Sequence, residues 1–96
     1  MDLTPLPGGD LVAAGLQDLA RGEETREALL VSIGAPRLLR LGIDVPRPFD
    51  SPEHRLYAIL ESSDALSAHS RYNALIRRLV SFEHALECAV PSTSNA

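Results

Sequence analysis

The stretch from Asp64 to Ala89 contains neither proline nor glycine, and it constrains the fold more than any other part of the sequence. Its apolar residues recur at intervals of three and four positions, which places them on one face of a helix. They are Ala65, Ala68, Tyr72, Leu75, Ile76, Leu79, Phe82 and Leu86. A helix of about 26 residues extends about 39 Å, whereas a small domain is about 30 Å across. The pattern therefore predicts a continuous rod that the rest of the domain covers incompletely.

Length and composition indicate a single all-α domain. A chain of 96 residues makes one domain, and an apolar share of 45% argues against disorder. The apolar residues are mainly leucine and alanine, which favour helix over strand. We predict a small four-helix bundle with a kinked second helix and a long C-terminal helix.

Start and stop signals place the first two helices. The first runs from about Leu11 to Arg21, with Asp10 as its N-cap. The second begins near Glu23 or Glu24 and kinks or restarts at Pro36, because proline lacks an N–H donor and crowds the preceding turn.

A third helix opens with Ser51 as N-cap and Pro52 at its first position, and ends near Ser63. We expect residues 1–9 to form a flexible lead-in, residues 10–89 a single helical domain, and residues 90–96 a flexible tail. The last helix should form the spine of the bundle. The predicted core consists of Leu16, Leu19, Leu29, Leu30, Ile33, Leu38, Leu56, Ile59, Leu60, Leu75, Leu79, Phe82 and Leu86.

Charge and cysteine content narrow the possible functions. All nine basic residues are arginine, which removes every lysine-dependent chemistry. The net charge of −4 disfavours attraction of the whole surface to nucleic acid or anionic lipid. The single cysteine, Cys88, excludes an intrachain disulfide and suits the cytoplasm. We see no signal peptide and no apolar run long enough to span a membrane, and we expect no cofactor.

A seam of small residues and arginines lies beside the apolar face of the last helix. Its members follow one another at helical spacing: Ser67, Arg71, Ala74, Arg78, Ser81 and Ala85. Small side chains allow a second helix to approach closely, and arginine is common at interfaces. One interpretation is a two-fold dimer contact in which each arginine meets acidic groups of the partner. The other is an exposed flank with arginine stems lying over apolar neighbours.

The residues from Ala68 to Asn73 bring several polar side chains to the edge of the apolar face. His69, Tyr72 and Asn73 are expected to bond to a facing helix or loop, since half-buried polar groups need partners. With the seam, the predicted interface comprises Ser67, His69, Arg71, Tyr72, Asn73, Ala74, Arg78 and Ala85. His69 is a candidate general base or metal ligand, although a structural role is the simpler interpretation.

Two further features of the last helix have alternative interpretations. Glu83 falls within the apolar sector, where a carboxylate is costly unless it is paired. Its partner would be Arg21, Arg26, Arg55, or an arginine of a second subunit; alternatively, the helix is already peripheral there. His84 and Cys88 share a face, but two ligands do not make a metal site, and we predict no bound metal.

Arg78 and His84, with five residues between them late in a helical bundle, resemble the motif of the HEPN ribonuclease superfamily. The resemblance covers seven of the 96 residues. It implies that Arg78 binds RNA phosphate and that His84 acts as acid and base across a dimer interface. Leu79 stands where the family often has a polar residue, and the chain is short for the family's fold.

Three functional hypotheses follow. The first, which we favour, is a non-catalytic interaction or regulatory protein that forms a homodimer through the last helix and binds or regulates another protein. The second is a nucleic-acid-associated regulator that uses Arg71, Arg77 and Arg78, which the acidic net charge disfavours. The third is a small ribonuclease-like enzyme that uses His69 or His84.

Overall fold

The part of the chain that the structure describes folds into four α-helices, as predicted. The structure, a computed structural model, describes residues 3–89. The helices are α1 (Gly9–Ala20), α2 (Arg26–Arg40), α3 (Pro52–Ser63) and α4 (Ala68–Ala89). No strand occurs within the described residues. The all-α class is thereby confirmed.

The centre of the fold is α2 and not α4, which we had expected to be the spine. Eight of the 15 residues of α2 are buried, compared with five of the 22 in α4. Helix α2 packs against each of the other three helices. Its segment from Ala28 to Leu38 presents apolar or small side chains in nearly every direction, which suits a helix enclosed on several sides.

Helix α2 begins later than predicted and continues where a restart was predicted. Thr25 is its N-cap: the side-chain oxygen accepts a bond from the Ala28 N–H at 3.1 Å, which satisfies a donor at the helix start. Glu23 and Glu24 precede the helix. The helix then runs through Pro36 to Arg40 without interruption, so the predicted restart is wrong, and the kink itself stays a prediction.

Helix α1 starts at Gly9, and Asp10 lies within its first turn instead of capping it. The cap position is Gly8, whose φ of 73° is in the left-handed region that glycine adopts readily. A Cβ on Gly8 would lie 2.6 Å from the Arg78 carbonyl oxygen, so the chain entering α1 passes directly against the backbone of α4. Only glycine permits this approach.

The last helix begins at Ala68, four residues later than the expected rod at residues 64–89. Asp64 ends α3 in extended conformation, and its carboxylate accepts bonds from the Leu66 N–H and the Ser67 hydroxyl. Such local side-chain bonds compete with helix formation, and here they form a turn between α3 and α4. Ser67 contributes most to lowering the pKa of Asp64. Helix α4 therefore has 22 residues and spans about 33 Å at 1.5 Å per residue.

Helix α3 has the predicted limits, although the Ser51 side chain makes no capping bond. Most of the predicted core is buried. Four of its members, Leu16, Ile33, Ile59 and Leu75, are only partly buried. The core also contains residues outside the predicted set: Leu3, Val12, Ala28, Val31, Ala35, Ile43, Val45 and Ala68.

The division of the chain into lead-in, domain and tail stays a prediction. Within the predicted lead-in, Leu3 is buried in the core and the Gly9 N–H bonds to the Leu6 carbonyl at 2.8 Å. This described part of the segment thus packs against the domain. The predicted tail, residues 90–96, lies outside the described residues.

Candidate interaction surface on the last helix

Three of the predicted interface residues are held at the junction of α3 and α4. Ser67 precedes α4, and its hydroxyl donates to the Asp64 carboxylate at 2.9 Å. Arg71 is half-buried and donates to the Ser63 hydroxyl at 2.8 Å. The Tyr72 ring meets the Tyr57 ring of α3 with centroids 5.7 Å apart, and burial raises the pKa of Tyr72. These side chains contribute to local structure.

His69 and Asn73 lie differently from the prediction. Both are exposed, and their side chains contact each other at 3.2 Å across one turn of α4. We had expected them to bond to a facing helix or loop. Because the side chains project into solvent, they satisfy each other one turn apart without a tertiary partner.

A shallow depression lies on α4 where the chain enters α1. It has a volume of about 460 Å³. Its lining residues are Pro7, Gly8, Ala74, Arg77, Arg78 and Ser81. Ala74 and Ser81, two small members of the predicted seam, therefore border a concave and exposed surface.

A second depression lies between α4, α3 and the start of α2. Its volume is about 240 Å³. It is lined by Arg26, Leu60, Arg71, Ala74, Leu75 and Arg78. The two depressions share Ala74 and Arg78, so they adjoin across α4, and we call them together the Ala74 groove.

Four arginines line the Ala74 groove, and few carboxylates are close to them. Arg78 pairs with Asp10 of α1 at 3.2 Å, with both side chains at least half exposed. Arg26 lies 4.0 Å from Glu27, at the limit of an ion pair. Within residues 3–89, Arg77 makes no ion pair or side-chain hydrogen bond, and Arg71 bonds only to a hydroxyl. The groove therefore carries four arginine charges on an acidic protein, and Asp10, Glu27 and Asp64 lie close enough to offset part of them.

The remaining seam residue, Ala85, is half-buried and does not line the groove. Sequence reasoning missed Arg26 and the Pro7-Gly8 segment as parts of this surface. Both are far from α4 in the chain, and only the packing of α1 and α2 brings them to Ala74. Gly8 gave a weak signal, since a glycine before a helix can mark a close approach of two backbones.

Glu83 is buried on the apolar face of α4, with 5% of its surface exposed. The three predicted partners within the chain are wrong, because Arg21, Arg26 and Arg55 face other carboxylates. The burial of Glu83 also contradicts a peripheral position of the helix there, while pairing with an arginine of a second subunit stays a prediction. Within residues 3–89, no ion pair or hydrogen bond involves Glu83. A Cβ added at Gly34 of α2 would lie 3.0 Å from its carboxylate. Burial raises the pKa of Glu83, and the charges of Arg37 and His84 oppose this effect only in part.

His84 and Cys88 are both exposed, and residues 3–89 contain no group of three side chains suited to holding a metal. His84 lines neither depression of the Ala74 groove, whereas Arg78 lines both. The two residues of the ribonuclease-like motif therefore do not share this groove.

Comparison with known proteins adds no relationship. No protein family, curated protein or solved structure matches this chain. None of the helices within residues 3–89 combines the length and apolar character needed to cross a bilayer.

Proposed function

We propose that this is a non-catalytic interaction protein that binds another protein through the exposed face of α4. The observation that carries the proposal is the Ala74 groove, in which four arginines surround small and apolar side chains. Exposed arginines beside apolar surface are enriched at protein interfaces.

The chemistry of the groove supports binding over catalysis. Its polar side chains are arginines and Ser81. Arginine stays protonated in proteins, so it does not act as a general base. Neither His69 nor His84 lines the groove.

A homodimer through α4 is the second form of this proposal. The small exposed side chains of Ala74 and Ser81, seven residues apart on one face of α4, favour close approach of another helix. Charge opposes the symmetric arrangement, because a two-fold contact centred on the groove places the arginines of one copy against those of the other.

Nucleic-acid binding is the alternative that the same arginines suggest. Arg71, Arg77 and Arg78 all line the groove and could contact phosphates. The net charge of −4 opposes long-range attraction of a polyanion. No aromatic side chain lines the groove to stack against a base.

We place the protein in the cytoplasm, where its free, exposed Cys88 stays reduced.

Site-specific crosslinking in cells that naturally contain the protein tests the proposal. One variant replaces Ser81, which lines the groove, with the photo-crosslinker p-benzoylphenylalanine. The matched control carries the crosslinker in place of Ser70, an exposed serine of the same helix outside the groove. We expect an adduct with one discrete protein from position 81 and none from position 70.

The mass of the adduct separates the alternatives. A foreign protein supports the proposal, and an adduct of two copies of this chain supports its homodimer form. Light scattering after size exclusion then checks that form: Ala74→Glu should convert a dimer to a monomer, whereas Ala58→Glu on the exposed surface of α3 should not. An adduct with RNA, or no adduct at position 81, overturns the proposal.

A further inference from the structure

We infer that the Ala74 groove takes an acidic amphipathic helix of a partner protein, with carboxylates on the arginines and apolar side chains on the floor. This inference rests on the proposed function and names the chemistry of the partner. It follows from the arrangement of apolar and charged groups around Ala74.

The floor of the groove is apolar. Ala74 lies at the point shared by both depressions, and Leu60 and Leu75 form the floor on the side of α3. Pro7 and Gly8 form the wall on the side of α1. A small side chain between larger neighbours accommodates an inserted apolar side chain, as where helices bind in hydrophobic grooves. A ligand that is only an anion would leave this surface uncovered.

The arginines flank the floor on both sides. Arg26 and Arg71 border the smaller depression, Arg77 borders the larger one, and Arg78 borders both. Guanidinium groups bind carboxylates through paired hydrogen bonds of fixed geometry. A helix with acidic residues on either side of an apolar stripe places its charges in the matching positions.

The protein itself provides an example of the proposed contact. Asp10, in the first turn of α1, binds Arg78 at the edge of the larger depression at 3.2 Å. One of the four arginines is therefore already paired with a carboxylate that a helix carries. The other three have no comparably close carboxylate within the described residues.

The same features disfavour the other occupants. A nucleic-acid duplex carries one negative charge about every 1.7 Å and has no apolar side chains to cover the floor. An amphipathic helix supplies both carboxylates and apolar side chains. A second copy seated symmetrically would oppose four arginines with four arginines. An acidic amphipathic helix meets both the charge and the apolar surface.

A synthetic probe tests the inference on the full chain. The probe is a short fluorescent peptide with leucines at helical spacing and glutamates on both flanks of the leucine stripe. The controls are a scrambled peptide of the same composition and a single-stranded RNA of similar length. We expect saturable binding of the probe, with amide NMR shifts concentrated at Leu60, Ala74 and Leu75. The scrambled peptide should bind about tenfold more weakly, the effect of losing about one buried apolar side chain.

Variants of the groove locate the binding. Arg71→Gln and Arg78→Gln should each weaken binding of the probe by up to about fivefold, the upper end for a solvent-accessible ion pair. Arg40→Gln, at an exposed arginine outside the groove, should leave binding unchanged. Ala74→Glu should weaken binding more than about tenfold because it fills the floor and places a negative charge among the arginines. Ala58→Glu is its control, and circular dichroism checks the fold of each variant.

Three results overturn the inference: equal binding of the scrambled peptide, tighter binding of the RNA, or NMR shifts away from the groove. These failures differ from failure of the proposed function. A protein adduct from position 81 in cells, together with no binding of the peptide, removes only the acidic helix as occupant. The absence of any adduct at position 81 removes the proposed function, whatever the peptide does.

Discussion

Helix α2 is more buried than helix α4, which is the opposite of what their sequences suggest. Helix α2 contains Gly34 and Pro36, yet it lies at the centre of the fold and packs against every other helix. Helix α4 is free of both residue types and is the longest helix, yet more than half of its residues are exposed. Length and regularity thus indicate a stable helix, while burial depends on how many sides are apolar.

The difference separates a helix that stabilises the fold from a helix that we propose binds a partner. Substitutions in α2 should act mainly on the free energy of unfolding, because they create cavities among buried neighbours. Substitutions on the exposed face of α4 should act mainly on binding, because solvent already surrounds the side chains. Measurements that compare matched changes on the two helices test this separation.

The largest effect is expected at Leu30, which is fully buried in α2. Leu30→Ala should lower the free energy of unfolding by about 2–5 kcal/mol, through lost apolar burial and the cavity left behind. Urea denaturation followed by circular dichroism measures the change.

The control is the same substitution at Leu66, which is 99% exposed in the turn before α4. Leu66→Ala should alter the free energy of unfolding by less than about 0.5 kcal/mol. Equal losses at the two positions would contradict the contrast between the regions.

An intermediate effect of opposite sign is expected where the two helices meet. Glu83 of α4 lies against Gly34 of α2 without an ion pair. Within residues 3–89 no fully buried side-chain oxygen or nitrogen lacks a hydrogen bond, so the carboxylate keeps slight contact with solvent. Glu83→Gln should therefore raise the free energy of unfolding at neutral pH by only about 1 kcal/mol, because a neutral amide costs less to bury than a carboxylate but still needs hydrogen-bond partners.

The stability difference between Glu83→Gln and wild type should depend on pH, and the raised pKa of Glu83 sets the direction. Burial raises the pKa of Glu83 in the folded protein, so the folded state binds the proton more tightly than the unfolded state. The penalty is fully present above the raised pKa and disappears as pH falls towards the ordinary glutamate value of about 4.3. The advantage of Glu83→Gln over wild type should shrink in the same window. An advantage that grows on acidification would contradict the assignment, and Glu61→Gln at an exposed glutamate of α3 serves as the control.

The smallest effect on stability is expected at the groove itself. Arg78→Gln removes the exposed ion pair with Asp10 and should cost about 0.2–1 kcal/mol. Asp10→Asn should cost a similar amount, and the double variant should cost little more than either single one. Thermal unfolding at low and high salt measures the changes, which should shrink as salt rises. A loss comparable to that of Leu30→Ala would make Arg78 a structural residue instead of a binding residue.

Some elements were predictable because their signals are local. The apolar positions of α4 from Leu79 to Leu86 and the limits of α3 follow from helical spacing and the Ser51-Pro52 start signal. The turn at Asp64 was missed because no proline or glycine marks it. It is formed by bonds that the Leu66 N–H and the Ser67 hydroxyl donate to the Asp64 carboxylate. Helix α2 was predicted to be interrupted because Pro36 is a local signal, whereas the packing that holds the helix together is not.

The residues of the candidate site also fall into a predictable group and an unpredictable group. The sequence placed Arg71, Ala74 and Arg78 together, because one helix carries them at helical spacing. It did not reveal Arg26 or the Pro7-Gly8 wall, because residues far apart in the chain meet only through packing. The predicted partners of Glu83 were wrong for the same reason, since each of those arginines has a nearer carboxylate.

Local sequence patterns predict an all-α fold and a last helix with one apolar face, because these properties depend on intervals of a few residues. Tertiary packing makes α2 the centre of the fold and brings four arginines to one groove. It also places Glu83 against a glycine without an ion pair. Those outcomes depend on which surfaces exclude water together, and contacts between distant segments settle that only when the whole chain is packed.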